Sequence, residues 1–388
     1  MMDINLQEKE ARINELKDSI ISSVNKRVSE SVAVTSAREK NLLFNDFEYS
    51  MGKIHLESTP EGIGIGAHYS CNAKCVFCLG GKPELFSLQR YKDFFEPKLG
   101  HVISKARYVN FCGFGELLLM PDIEAFLEYV NERIPVVNKI YTTNGTPLLN
   151  SKVLNLLTES KSAVEISLHA SNNHLHKLLT KMNTFDQIVS GIRQLVSIRK
   201  HIERPTIVLI FLVNTLNIEN LPDFIELAAG LGVDQVICNY MTIFHSTHLK
   251  LSCYFKQEIT NASFEKAEEL SRKLKIALKL PPRFGVNNQI NEKHLCSDPW
   301  KYSYVENETS VLPCCYAGSH FGYLEKVDFQ TILNGTDYKD LRNCLARGLA
   351  HRWCKYCYKC RSKNVNDIRS HINFRPGSQE KILKGYKL

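Results

Sequence analysis

The sequence predicts an α/β fold whose parallel sheet is doubly wound or closed into a full or partial barrel. Three observations predict it. From residue 62 to 241 strand-like stretches alternate with helical ones, an order that needs right-handed crossovers between parallel neighbours. At 388 residues and 44% hydrophobic, the chain can bury one large core with appendages, or build two or three domains. The alternation stops at Pro281-Pro282, and the remainder of the chain is cysteine-rich with short irregular segments.

In chain order, residues 4–30 set Leu6, Ile13, Leu16, Ile20, Ile21 and Val24 at helical intervals with charges between them, an amphipathic helix, and 35–50 allow a second. IHLES (54–58) is strand-like. Pro60 and Gly62 then punctuate the chain before GIGIGAHYS (62–70), the first barrel-type strand. The strands after it are YVNFCG (108–113), KIYTTN (139–144), AVEISLHA (163–170), TIVLIFLV (206–213) and DQVICNYM (234–241). Helices are expected near 84–104, 121–133, 150–159, 184–200 and 218–231, and then as the charged stretch NASFEKAEELSRKLKIALKL (261–280). Chemistry in such folds gathers at the carboxyl ends of the strands.

Composition excludes several roles. The N-terminus, MMDINLQEKEARINELKDS, is charged and periodic, unlike a signal or transit peptide. No run reaches the roughly eighteen apolar residues of a membrane span, so a cytoplasmic protein with no membrane partner is expected. The net charge of +8 is spread along the chain without a basic stripe interleaved with aromatics, and no nucleic-acid partner is expected. In a reducing compartment thirteen cysteines are not a disulfide framework, and the clustered ones point to a metal or an iron–sulfur cluster.

HYSCNAKCVFCLGG (68–81) puts Cys71, Cys75 and Cys78 on one tight loop after the first barrel-type strand. Structural zinc takes four ligands, and no fourth cysteine or histidine follows Cys78 closely. A cubane [4Fe–4S] cluster held by three thiolates leaves one iron open for a substrate or cosubstrate.

This loop resembles that of the radical S-adenosylmethionine superfamily, in which the open iron chelates the amino and carboxylate groups of S-adenosylmethionine. Three downstream stretches extend the resemblance, each at the end of an expected strand. GFGE (Gly113, Phe114, Gly115, Glu116) looks like the family's Gly-Gly-Glu motif with Phe in the middle, and its backbone would hold the methionine amino group. TTNG (142–145) would bring Thr143 and Asn144 near the cosubstrate, and ISLHA (166–170) would bring Ser167 to its ribose or carboxylate. Phe77 would offer backbone contact to adenine.

CSDPWKYSYVENETSVLPCC (296–315), followed by a Leu-Arg pair and a C-x2-C pair, resembles the auxiliary-cluster extension called SPASM, in its shortened form called twitch. The resemblance implies one auxiliary [4Fe–4S] cluster on Cys296, Cys314, Cys354 and Cys357, with Cys315 and Cys360 as rivals. Thr309 stands where that family often has a glycine, five residues before the second ligand. Structural zinc suits the same four cysteines by chemistry alone.

The resemblance implies a partial (β/α)6 TIM-type barrel at 59–275, an N-terminal helical extension at 1–58, a small cysteine-rich α+β cluster domain at 276–365 and a basic tail at 366–388. It implies an enzyme that takes an electron from a flavodoxin or ferredoxin and cleaves S-adenosylmethionine to a 5′-deoxyadenosyl radical. That radical removes a hydrogen atom from an unactivated C–H bond. A ribosomally made peptide substrate is expected, modified by epimerisation, crosslinking or oxidation, with dehydrogenation or epimerisation of a sugar or aminocyclitol as the runner-up. A non-catalytic iron–sulfur or zinc scaffold is the alternative of another class. Cys238, at the end of the sixth strand, is a candidate hydrogen-atom donor, the alternative being a small buried hydrophobe. His169, His174 and His176 follow the fourth strand, where histidines are commonly solvated.

Overall fold

A computed structural model describes residues 36–67, 69–80, 86–159, 161–199, 205–286, 296–306, 309–317, 319–358, 362–373 and 377–384. The helix expected over 4–30 and the rival ligand Cys360 lie outside them.

The predicted alternation is borne out. Seven parallel strands follow one another along the sheet: β1 (Gly62–Gly66), β2 (Tyr108–Cys112), β3 (Asn138–Thr143), β4 (Ser162–Ser167), β5 (Thr206–Val213), β6 (Gln235–Tyr240) and β7 (Ala277–Lys279). Helices carry the returns: α1 (Ala37–Ser50) precedes β1, and α2 (Glu96–Ile103), α3 (Ile123–Arg133) and α4 (Ser151–Thr158) lead into β2, β3 and β4. α5 (Asn173–Thr180) and α6 (Phe185–Ile198) both lie between β4 and β5. α7 (Leu221–Leu231) and α8 (Gln257–Leu274) lead into β6 and β7. The result is a partial (β/α)6 barrel of TIM type with one further short strand at its edge.

That edge strand departs from the sequence reading, which ran a helix through residue 280. α8 stops at Leu274 because Lys275 turns left-handed, at φ 57°, and Ala277–Lys279 then pair with β6. IHLES is likewise not a strand. Its backbone is bound to side chains, Leu56 N–H donating to Asn334 Oδ1 and Glu57 N–H to Glu48 Oε1, both at 2.8 Å.

The strands alternate sharply. On β2, Val109 and Phe111 face the helices and are fully buried, whereas Tyr108, Asn110 and Cys112 face the lumen and are only partly covered. β3 and the end of β4 repeat the pattern. The lumen is therefore open rather than filled, as a barrel that houses a reactant requires.

On the other side of β1 the sheet continues into the cysteine-rich segment. β8 (Tyr302–Val305) pairs in parallel with β1, and β9 (Ser310–Leu312) and β10 (Gly322–Tyr323) extend it antiparallel, giving ten strands in one sheet among the described residues. α9 (Thr336–Ala346) packs beneath. Its Arg342 is fully buried and donates to the carbonyls of Pro299 (2.9 Å), Leu333 (2.8 Å) and Ile54 (3.0 Å), which ties α9 to the chain on both sides of the barrel. Residues 36–58 dock on this same segment: Asn45 Nδ2 donates to the Trp300 carbonyl, and Trp300 Nε1 donates to that of Lys53.

The chain beyond 366 returns to the barrel. Ile243 and Ile372 form a parallel bridge, and Ile368, Ile372 and Ile382 of the returning segment, the last on α10 (Ser378–Leu383), are buried with Leu175, Leu179, Met241 and Phe77. No helix among the described residues is long and apolar enough to cross a membrane.

Candidate active site: two cysteine-lined cavities

At the carboxyl rim of the barrel a cleft of ≈ 790 Å³, counting its open mouth, is lined by Cys71, Cys75 and Cys78 together with Phe77. The ends of β2, β3 and β4 supply the opposite wall: Cys112, Gly113, Phe114 and Gly115, then Thr142, Thr143 and Asn144, then Ser167 and His169. The stretches singled out in the sequence thus converge, Glu116 excepted. It stands behind the wall, 1% exposed.

The cysteine loop has no regular structure, so its position depends on bonds to its neighbours. Tyr69 N–H donates to Phe114 O (3.1 Å) and Glu116 N–H to Ser70 O (3.1 Å), which joins the loop's start to GFGE. Lys74 and Val76 donate to the carbonyls of Thr180 and Leu179 at the end of α5, at 3.0 and 2.9 Å. Two backbone N–H groups point at sulfur: Ala73 to Cys71 Sγ at 3.4 Å and Gly80 to Cys78 Sγ at 3.3 Å. Donors of this kind stabilise a thiolate. Against them, burial pushes the Cys71 thiol up and that of Cys75 up to about 12, with the neighbouring cysteines adding to it. Cys71, Cys75 and Cys78 would hold an iron–sulfur cluster as thiolates, and its bound iron would supply the positive charge that offsets this burial.

Glu116 braces the far wall. Its carboxylate accepts hydrogen bonds from Thr143 Oγ1 (2.7 Å), Asn144 N–H and Leu118 N–H (3.2 Å). Burial nevertheless raises its pKa to about 7, those donors lowering it only in part. The fixed Asn144 then donates to Asn72 Oδ1 (2.8 Å) and approaches Cys71 Sγ (3.7 Å). The sequence reading assigned Glu116 to a motif by resemblance; the structure gives it this bracing contact.

His174 is exposed, as expected, but His169 and His176 depart from the solvated expectation. His169 is buried, accepts from Leu212 N–H at 3.1 Å and meets Phe77 edge-on at 5.2 Å, and burial lowers its pKa to about 4, so it is a neutral acceptor in the cleft wall. His176 is buried against Thr184 at 3.1 Å.

Cys238 requires a correction. On β6 the lumen positions are Gln235, Ile237 and Asn239; Cys238 lies on the alternate face, 2% exposed, in the core between sheet and helices. It does not line the cleft, and its reading as a small buried hydrophobe is the one the structure supports. The lumen cysteine is Cys112, which the sequence alone did not distinguish.

A second cavity, of ≈ 480 Å³, lies in the C-terminal segment. Cys296, Cys314, Cys354 and Cys357 line it, with Pro299, Tyr316, Leu341 and Trp353 around them. Cys315 does not. It is exposed. Among the described residues no three His, Cys, Asp or Glu side chains converge tightly enough for one metal ion. Four thiols stand around the cavity walls with Asp298 beside them, a donor set that fits a polynuclear cluster.

Fold and site together define a barrel enzyme with iron–sulfur chemistry at its carboxyl rim. The chain belongs to the radical SAM superfamily: residues 68–228 match the family model of that name, and residues 296–361 match that of SPASM, an iron–sulfur cluster-binding domain. It is an enzyme whose cofactors are S-adenosylmethionine, the [4Fe–4S] cluster that binds it, and auxiliary iron–sulfur.

Among curated proteins, a probable GTP 3′,8-cyclase of Methanocaldococcus jannaschii is 28% identical over 207 residues, 52% of this chain and 65% of its own length, just under two thirds. A probable GTP 3′,8-cyclase of Sulfurisphaera tokodaii is 26% identical over 60% of this chain and 72% of its own. Among solved structures, Streptococcus suis SuiB superposes with a TM-score of 0.62 at 15% identity, covering 96% of this chain and 89% of that one. SuiB has also been solved with its precursor peptide SuiA, at a TM-score of 0.60 over 94% of this chain and 88% of that one, 13% identical.

Proposed function

We propose that this enzyme modifies a ribosomally made peptide, with Cys71, Cys75 and Cys78 holding the cluster that binds S-adenosylmethionine, and Cys296, Cys314, Cys354 and Cys357 holding an auxiliary cluster. When bound, the first cluster and S-adenosylmethionine supply a 5′-deoxyadenosyl radical that takes a hydrogen atom from an unactivated C–H bond. The chain's own part is to position and enclose. Glu116, through Thr143 and Asn144, fixes the wall facing the cysteine loop, Ser167 and Phe77 face the cosubstrate space, and neutral His169 closes its side without adding charge. A flavodoxin or ferredoxin is the expected electron donor.

The observation that carries the peptide reading is the open lumen of the barrel, walled on one side by β8 of the cysteine-rich segment. In fold the chain superposes over nearly its whole length on SuiB, a protein solved with a peptide, whereas its sequence match to the M. jannaschii cyclase spans about half of it. A nucleoside triphosphate would also need cations around its phosphates. The charged lumen positions of β2 to β7 are instead one carboxylate, Glu165, and, at the open edge, Lys279.

The test is anaerobic reconstitution with dithionite and S-adenosylmethionine. Release of 5′-deoxyadenosine that Cys75→Ala abolishes supports the radical site. A mass change or deuterium uptake in a short peptide encoded beside the gene supports the peptide; its absence, with a carbohydrate turned over instead, overturns that part.

A further inference from the structure

The wall of the second cavity carries a buried donor that the chain leaves without an acceptor. The protein has two tryptophans, and their indole N–H groups differ. Trp300 Nε1 donates to the Lys53 carbonyl at 2.6 Å. Trp353 Nε1 is buried, and among the described residues no acceptor reaches it. Buried donors are nearly always paired, so an orphan of this kind calls for a partner that the chain itself does not supply.

Trp353 lines the cavity together with Cys296, Cys314, Cys354 and Cys357 and directly precedes Cys354 in the chain. Its own backbone N–H donates to Nδ1 of His351 at 3.4 Å, and His351, itself buried, is hydrogen-bonded through Nε2 to Asp340 Oδ2 of α9 at 3.0 Å. Cys354 N–H donates to the His351 carbonyl at 2.8 Å. The Arg352 guanidinium lies over the indole, 5.1 Å from the ring centroid. One short turn, Arg352–Cys354, therefore fixes an indole and a thiol side by side at the cavity. The rest of the lining is apolar apart from Asp298 and Tyr316, and neither of these accepts from the indole.

An iron–sulfur cluster offers what is missing. Its sulfides and ligating thiolates are negatively charged acceptors, and hydrogen bonds to them are one of the means by which a protein sets the reduction potential. At the rim cleft the backbone N–H groups of Ala73 and Gly80 already point at cysteine sulfur.

We propose that Trp353 donates its indole N–H to a sulfur of the auxiliary cluster and thereby raises that cluster's reduction potential. This rests on the reading that the four cysteines hold such a cluster, and it adds a direction. A donor at sulfur stabilises the more negative, reduced form, so the site is biased toward taking up an electron.

The test uses the full chain carrying Cys71→Ala, Cys75→Ala and Cys78→Ala together, so that the auxiliary cluster is read alone. Mediated redox titration followed by EPR gives its midpoint. Trp353→Phe keeps an aromatic ring and removes the N–H; the reduction equilibrium is expected to fall about tenfold, which is about 59 mV for one electron. A gap that merely admitted water would move the midpoint upward, because solvent also stabilises the reduced charge. Pulsed EPR of the reduced parent, with 15N at its tryptophan indoles, is expected to show a 15N coupling to the cluster that Trp353→Phe abolishes. Where Trp353→Phe takes up no iron, the coupling in the parent decides alone, since the other indole is held by Lys53. A midpoint that stays or rises, or a parent without the coupling, overturns the proposal. Failure of the underlying reading is distinct: the parent would then take up zinc or no metal rather than about four irons, and the proposal would fall with it.

Discussion

The carbonyl oxygen of Tyr69 occupies the space into which any side chain at Gly115 would grow: a Cβ built there would stand 1.7 Å from it. Gly115 also holds φ at +125°, a conformation that glycine adopts readily and other residues do not. This close approach lets the cysteine loop lie against GFGE and exchange the bonds of Tyr69 and Ser70 with it. Gly115→Ala is expected to push the loop off the β2 end. The measurable consequence is reconstituted protein that keeps its auxiliary iron but loses S-adenosylmethionine binding and 5′-deoxyadenosine release. Wild-type cosubstrate affinity in the variant would contradict it.

Thr309 is strained in the other direction. It stands just before β9 at φ 71°, fully buried, with Oγ1 unpaired, a costly conformation for a β-branched residue. Thr309→Gly relieves the backbone and removes the orphan hydroxyl, and after glycine's larger unfolded-state entropy the net gain is about 1 kcal/mol. The denaturation midpoint is expected to rise; a fall would show that the threonine's packing outweighs its strain.

What the sequence disclosed depends on the range over which each signal acts. Strand and helix alternation and the C-x3-C-x2-C loop are local, and both were legible. Which face of a strand meets the lumen depends on its register with neighbours, so the sequence leaves both readings of Cys238 open and does not distinguish Cys112 and Glu165. Arg342 belongs to a readable Leu-Arg pair, but its role lies in three carbonyls drawn from positions as distant as Ile54 and Leu333. The basic composition of the tail likewise concealed Ile368, Ile372 and Ile382, whose burial under the cleft rim only the fold reveals.

The cysteine doublet is separated by geometry. Cys314 lines the second cavity, and burial with its cysteine neighbours raises its thiol far above the ordinary value, whereas Cys315 is exposed and outside that lining. Reconstituted wild-type protein is expected to carry about eight irons, Cys314→Ala about four and Cys315→Ala about eight. Iron analysis beside the visible absorption spectrum checks this, and loss of iron in Cys315→Ala instead would reassign the ligand.

Away from the site, Lys139 gives a pH signature. It is fully buried at the start of β3, with Nζ donating to the Ile134 carbonyl at 3.2 Å, and burial lowers its pKa from 10.5 to about 8, with Lys161 adding a smaller push. Between those values the unfolded chain binds the proton more tightly than the folded one, so this residue's contribution to stability rises as pH increases from about 8 to 10.5. Lys139→Met removes the buried charge while Ile134 O keeps its bond from Val137 N–H at 3.2 Å. At neutral pH the variant is expected to be more stable, on the order of 1–3 kcal/mol. Urea titrations across that range should show the wild-type and variant midpoints converging as pH rises, because deprotonation gives the wild type the same relief. Parallel curves would mean that the lysine is charged in the fold and that its bond to Ile134 outweighs the cost of burying it.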